Sequence, residues 1–478
     1  MKPHMAERSD LASILRPRSI AIIGASQDLT SLSGRPLDIL LQHGYQGRLY
    51  PVNPHRDEVA GLRAWPSIAE VPDTVDLAVV AVRAAVVPQV LRDCAAAGVL
   101  SAVVFSSGFA EEGEAGRTVE SELTALARSS GMRILGPNAE GYFNVHHGIP
   151  VSFSPAIDYK RGLIRLQPGN VAVVSQSGGL GFAIFNWAQS AGLGISHVIS
   201  TGNEADLEVL ELAAFLIEDP NTQVVAMVVE GFRHPERLAT VATRALELGK
   251  RLVVAKLGRS IAGARATLAH TAHDSGSDDW YKTEFDRWGI IRAVDQEDLL
   301  DISFALSGRR AMTGSRVGIL TSSGGAGAWV ADACDAVGLS VPELKATIQQ
   351  DLRQMMPTYG SPRNPVDVTA QVFGSGGVAP ALQALCGSPE VDAVALVCSL
   401  ASPHMLENEE KQIASILNST DKPVLVYTYT RPGDASIDVL ARLGLAWYPS
   451  PQRVANALVA LANVSRPRLT DALRFAVE

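Results

Sequence analysis

With 478 residues, 47% of them hydrophobic and 19% charged, the chain carries enough apolar material for two to four globular domains. A net charge of -9 argues against a nucleic-acid-binding surface. Four cysteines, Cys94, Cys334, Cys386 and Cys398, lie without metal-ligand spacing and read as buried thiols in a reducing compartment. No apolar run is long enough to span a bilayer and no signal peptide opens the sequence, so a cytoplasmic protein is expected.

In chain order, a polar tail (residues 1–12), expected to be disordered, precedes five strand-like runs. They are Ser19–Ile23, Leu49–Pro54, Leu77–Val82, Ala102–Phe109 and Arg133–Asn138, with helical patterns between them. This alternation predicts a doubly wound parallel sheet over residues 13–150. The first strand ends in Gly24-Ala25-Ser26, a single glycine turn rather than the three-glycine dinucleotide fingerprint. The second ends in Asn53, where a nicotinamide dinucleotide site needs an acid for the ribose hydroxyls. NAD is therefore disfavoured, and a phosphate-bearing mononucleotide ligand such as CoA remains allowed. Its rim would be Gly24-Ala25-Ser26, Val82-Arg83 and Ser107-Gly108-Phe109, with backbone N–H groups at helix starts supplying the anion site.

A linker at 151–169 leads to the clearest internal feature. Val171–Gly181, containing Ser177-Gly178-Gly179, is echoed without gaps by Val317–Gly327, containing Ser323-Gly324-Gly325. The echo predicts two flavodoxin-like domains, residues 170–308 and 314–466, with a short tail at 467–478. A Ser-Gly-Gly turn before a helix lets backbone approach an anion, and the helix dipole favours negative charge there. The same turn also suits a tight connection with a serine N-cap. Trp187, Phe182 and Phe185 follow the first turn and read as a core stripe, with an acyl pocket as the alternative.

Between the repeats, the run Val224–Val229 ends in Glu230, and a carboxylate at a strand's C-terminal end commonly serves a site. The run Leu252–Lys256 leads into Gly258–Asp279, rich in Gly, Ala and Ser, which predicts a flexible loop at a strand's C-terminal end. That stretch carries His270 and His273. A lone histidine is more often structural than catalytic, and only the surrounding pattern lifts His270 above that.

The pattern is a resemblance. Ile20–Ser26, Tyr50–Pro54, Ser106–Glu111, Gly136-Pro137-Asn138, Ser175–Gly179, Thr201-Gly202-Asn203, Glu230-Gly231 and Asn364–Asp367 look, in order, like the α part of NDP-forming acyl-CoA synthetases. These are the ADP-forming acetyl-CoA synthetase type, relatives of succinate–CoA ligase. The resemblance covers nearly the whole chain and implies a Rossmann-like CoA-binding domain followed by two flavodoxin-like domains. It adds Asn53, Pro54 and Asn138 to the CoA-binding set. It implies that His270 is phosphorylated, that Glu230 orients its imidazole, and that Ser177-Gly178-Gly179 and Ser323-Gly324-Gly325 cradle phosphate. Neutral imidazole is a competent nucleophile for phosphoryl transfer near pH 7, which suits that role.

The sequence departs from the family twice. After the histidine it runs Thr271-Ala272-His273-Asp274-Ser275-Gly276, where the family has Thr-Gly-Ser. Nothing resembles the ATP-grasp module that holds ATP or ADP and Mg2+, and no P-loop occurs, so a separate ATP-grasp β subunit is expected in a hetero-oligomer. No metal site is expected on this chain. Two rivals stand beside the ligase reading: a nucleotide-independent acyl or carbamoyl transferase on the same scaffold, and a non-catalytic CoA-sensing subunit.

Overall fold

The computed structural model describes residues 10–464, apart from 163–165, 272–275, 309, 311, 371–376 and the side chains of 269–271 and 405. The expected tails 1–12 and 467–478 thus lie wholly or mostly outside the described residues, as do Ala272, His273 and Asp274. The chain divides into two compact units: Met1–Ser190 with Gly194–Val294, and Ala191–Leu193 with Asp295–Glu478.

The first unit holds two sheets. One has five parallel strands in the order Arg48–Val52, Ser19–Ile23, Leu77–Val80, Ser101–Val104, Arg133–Leu135. Its central strands are apolar and buried, as strands covered by helices on both faces must be. The other has five parallel strands in the order Ile195–Ser200, Pro168–Ser175, Val224–Val229, Arg251–Lys256, Ile291–Ala293. A hairpin, Gly141–Asn144 and Ile149–Ser152, adds two antiparallel strands at the Ile195–Ser200 edge. These two short strands have no counterpart among the elements expected from the sequence.

The second unit repeats the plan with strands Val366–Asp367, Val317–Thr321, Ala393–Cys398, Val424–Thr428 and Trp447–Tyr448, all parallel. Helix Gln296–Ser307 packs here, against helix Pro451–Val464. By sequence alone that helix falls in the middle domain.

In strand order of appearance all three parallel sheets run 2-1-3-4-5. The chain is therefore a doubly wound α/β protein, and in each sheet the order reverses at the first strand. Ligand crevices in such sheets open outside the carboxyl ends of strands one and three. Those ends are Gly24 and Val82 in the first sheet, Ser175–Ser177 and Glu230 in the second, and Thr321–Ser323 and Ser399 in the third.

The two Ser-Gly-Gly copies are built alike. The Ser175 hydroxyl donates to Ser177 O at 2.6 Å, and the Thr321 hydroxyl donates to Ser323 O at 2.8 Å. A glycine in the first turn of each helix lets it sit on that hydroxyl residue. A Cβ on Gly181 would lie 3.0 Å from Ser175 Cβ, and one on Gly327 2.7 Å from Thr321 Cγ2.

Candidate functional site

At the first sheet's crevice, Gly24 has φ of +87°, a left-handed conformation that glycine adopts without strain. A Cβ there would come within 2.7 Å of Val82 Cγ1. Gly24, Pro54 and Val82 line a cavity of about 680 Å³, with Ile68, Val71 and Val90 along its apolar wall. The Asn53 amide donates to Ala25 O at 2.8 Å and its Oδ1 accepts the His55 N–H at 2.9 Å, stapling the second strand's end to the first turn. That staple explains why an amide, not an acid, stands there. Ser26 accepts the Asp28 N–H at 3.1 Å, and Arg83 is an exposed cation at the end of the third strand.

Ser107, Gly108, Phe109 and Asn138 fall in a different place. The Phe109 side chain is fully buried core. Ser107 is exposed, and the Gly108 N–H donates to Glu111 Oε1 at 2.6 Å. Asn138 bonds to Asn203 at 3.3 Å, on the turn that follows Ile195–Ser200 in the second sheet. The buried Asn203 amide donates to Glu111 Oε2 at 2.6 Å and to Glu120 Oε2 at 2.9 Å. The Arg233 guanidinium bonds Glu120 Oε1 at 3.2 Å and also Asn203 O. Burial opposes ionisation of Glu111, but the Gly108 N–H and the Asn203 amide more than compensate and hold its carboxyl below the usual range.

Glu230 follows the third strand of the second sheet and is 4% exposed. Its N–H donates to Gln176 Oε1 at 2.5 Å, and the Gly231 N–H reaches the same oxygen at 3.2 Å. Gln176 Nε2 donates to Gly231 O at 2.7 Å and to Glu204 Oε2 at 3.0 Å. Glu204 takes φ of +59°, uncommon for a residue with a Cβ, and accepts the Thr201 hydroxyl at 2.9 Å and the Val209 N–H at 3.0 Å. Nearby Glu208 is buried, and burial together with the Glu204 charge pushes its carboxyl up to about 7 despite the Arg237 pair at 3.0 Å.

The stretch expected to be a flexible loop is largely helix, Ile261–Thr271, with His270 in its last turn. Four alanines raise helix propensity, and Ser260 Oγ accepts the Gly263 N–H at 3.0 Å at its start. The imidazole of His270 lies outside the described atoms. The helix runs beside the Ala110–Glu112 turn, which carries the Glu111 contacts. The preceding strand ends in Lys256, buried, with its ammonium 4.7 Å from the Tyr281 ring centre.

At the phosphate-type turns, Gly178 faces Glu140: a Cβ there would lie 3.1 Å from the carboxylate Oε2. Burial pushes the Glu140 carboxyl up, with Ser154 acting the other way. In the second unit Gly324 faces Asp367 Oδ2 in the same manner, at 2.9 Å. Gly179 and Gly325 face open space, so packing does not require glycine at either position. Trp187 is exposed, while Phe182 and Phe185 are core. Among the described residues no three His, Cys, Asp or Glu side chains gather as a metal site, and no helix is long and apolar enough to cross a membrane.

Gln176, Glu204, Glu111 and Glu120 escape a reading by sequence. Gln176 lies inside the repeated motif, but its partners are 28 and 54 residues away.

Three family matches run in the same order. Residues 18–142 match the CoA binding domain, 168–306 the succinyl-CoA ligase like flavodoxin domain, and 317–393 the ligase-CoA domain. The chain is 35% identical to the Pyrococcus furiosus acetate–CoA ligase [ADP-forming] I subunit alpha, over 95% of this chain and 98% of that one. It is 33% identical to the corresponding II subunit alpha of the same organism, over 94% and 97%. Among solved structures it is similar to the dinucleotide-forming acetyl-coenzyme A synthetase 1 of Ca. Korarchaeum cryptofilum in complex with phosphate and ADP. There the TM-score is 0.85 at 33% identity, covering 98% of this chain and 99% of that one. With nearly all of its length matched and its three domains in the same order, the chain belongs to the family of ADP-forming acetate–CoA ligase α subunits.

Proposed function

We propose that the chain is the α subunit of an NDP-forming acyl-CoA synthetase. It joins a small carboxylic acid to CoA, reversibly, with conversion of NTP to NDP and phosphate, through a phosphohistidine at His270 and an acyl phosphate. One observation carries this reading. Glu230 is buried at the switch point of the second sheet, tied by Gln176 to the Ser177-Gly178-Gly179 helix start, and the next strand leads into the helix bearing His270.

In the synthetic direction a neutral ring nitrogen of His270 attacks the terminal phosphorus as the bond to the NDP oxygen breaks. Glu230 accepts a hydrogen bond from the other ring nitrogen, fixes the tautomer and balances the imidazolium charge. The substrate carboxylate then takes the phosphoryl group, the nitrogen–phosphorus bond breaks, and CoA sulfur displaces phosphate from the acyl carbon. Helix N–H groups at Ser177-Gly178-Gly179 and Ser323-Gly324-Gly325 hold phosphoryl charge without reorganising.

We assign the cavity beside Gly24, Pro54 and Val82 to the nucleotide end of CoA: its apolar wall suits a base, and exposed Arg83 suits a phosphate. Ser107, Gly108 and Asn138 lie apart from this cavity, with Glu111 and Asn203, and are assigned to the other end of CoA. ATP or ADP and Mg2+ bind a separate ATP-grasp β subunit, and the complex works in the cytoplasm.

The test mixes the chain with a candidate ATP-grasp partner, Mg2+ and γ-labelled ATP, and maps any acid-labile, base-stable label by mass spectrometry. Label on His270 is expected. No label with CoA still bound would shift the weight to the nucleotide-independent transferase or the CoA sensor.

A further inference from the structure

Gln176 is 2% exposed, and both ends of its amide are fully used. Its oxygen accepts two N–H groups, from Glu230 and Gly231, and its nitrogen donates to Gly231 O and to the Glu204 carboxylate. An amide has two acceptor sites and two donors, so this set fixes which end points where. Neither an ionised carboxylate nor an apolar isostere can make all four bonds.

The second repeat shows that the fold of the turn does not need this side chain. Ser322 stands at the equivalent position. Its N–H donates to Val397 O at 3.1 Å, just as the Gln176 N–H donates to Val228 O at 3.1 Å. The hydroxyl that closes the turn is present in both copies. Strand, turn and helix thus form with serine. Glutamine adds a grip on the Glu230-Gly231 backbone and, through Glu204, on the turn whose Asn203 holds Glu111 and Glu120.

We propose that Gln176 is a positioning residue for phosphoryl transfer at His270: its amide pins the Glu230 peptide to the Ser177-Gly178-Gly179 helix start, so that the carboxylate and the phosphate turn hold one geometry. The proposal rests on the phosphohistidine reading above. The reason for such a pin is that a misplacement of about 1 Å at a reacting group costs on the order of 100-fold in rate.

The experiment uses the α chain with its ATP-grasp partner and compares wild type, Gln176→Glu and Gln176→Ser in the rate of His270 labelling from pH 8 to pH 6, with CoA affinity and thermal stability measured alongside. At pH 8, Gln176→Glu sets a second carboxylate beside Glu204, offset in part by the Arg233 guanidinium 3.9 Å from Glu204. Labelling is expected to slow roughly 10- to 100-fold with CoA affinity unchanged. Towards pH 6 the protonated carboxyl donates to Glu204 again, and the deficit should shrink. Gln176→Ser, which copies the second repeat, should fold, label slowly and show no such recovery. Wild-type labelling rates in either variant at pH 8 would overturn the proposal, as would a Gln176→Glu deficit that ignores pH. Absence of label on wild-type His270 would instead overturn the phosphohistidine reading, and the positioning role with it.

Discussion

The Glu140 carboxylate stands against Gly178, so closely that a Cβ on the glycine would lie 2.8 Å from Glu140 Cβ. The neighbouring Gly179 meets nothing within 4 Å. Packing therefore requires glycine at Gly178 and does not require it at Gly179. Gly178→Ala should destabilise the chain by about 1–3 kcal/mol through overpacking. Gly179→Ala should leave thermal unfolding within about 0.5 kcal/mol of wild type, since its Cβ meets nothing in the fold, and, on the proposed phosphate-binding role of the turn, should slow labelling of His270. Equal stability losses in the two variants would reject the distinction.

His270→Ala should abolish phosphoenzyme formation. Glu230→Gln keeps the shape and removes the charge, and should slow labelling by roughly 10²–10⁴-fold. Rapid-quench measurement of the label reads both, and unchanged turnover in His270→Ala would reject the mechanism.

Glu208 makes stability depend on pH. Its folded carboxyl titrates near 7, above its ordinary value, so the folded state binds the proton more tightly than the unfolded chain does. The penalty for ionising it is fully present above about pH 7, is relieved as pH falls through that value, and is gone below the ordinary carboxylate range. Glu208→Gln should therefore stabilise the chain at pH 8, by on the order of 1–3 kcal/mol, and confer no gain at about pH 4. Thermal melts of both proteins across that range check the sign.

Arg133, with its side chain 4% exposed, bonds Asp206 at 2.9 Å and Glu211 at 2.7 Å. It lies on the last strand of one sheet of the first unit, while its partners sit at the start of a helix of the other, so it links the two. Arg133→Ala strands a buried carboxylate and should cost about 3–5 kcal/mol, whereas breaking a solvent-screened surface pair such as Arg244 with Glu218 should cost far less. Denaturant unfolding of the two alanine variants compares them directly.

Much of the architecture is legible in the sequence because parallel strands buried on both faces must be short apolar runs, and the shortness and β-branched residues of Ser19–Ile23 and Val224–Val229 favour strand over buried helix. The repeat of Val171–Gly181 in Val317–Gly327 is legible in part because close helix–strand packing demands glycine at Gly181 and Gly327 alike. The helix bearing His270 reads as loop by sequence: glycine and serine at its ends suggest flexibility, while the alanines between them favour helix. The hairpin Gly141–Ser152 hides because four-residue strands leave too little pattern. Gln176 and Glu204 hide for a different reason. Their meaning lies in partners that only the winding of the sheet brings together, and no local spacing encodes it.

That hairpin bears on how members of this family could exchange parts. Its second strand, Ile149–Ser152, spans the point at which the sequence alone would divide the CoA-binding domain from the middle domain. A chimaera joined at residue 150 would cut through that outer strand and leave the row of backbone groups along Gly141–Asn144, which it now pairs, open to other chains. Recombination that carries residues up to Val294 as one cassette keeps that edge closed, and with it the register in which the loop at Glu111 meets the turn at Asn203.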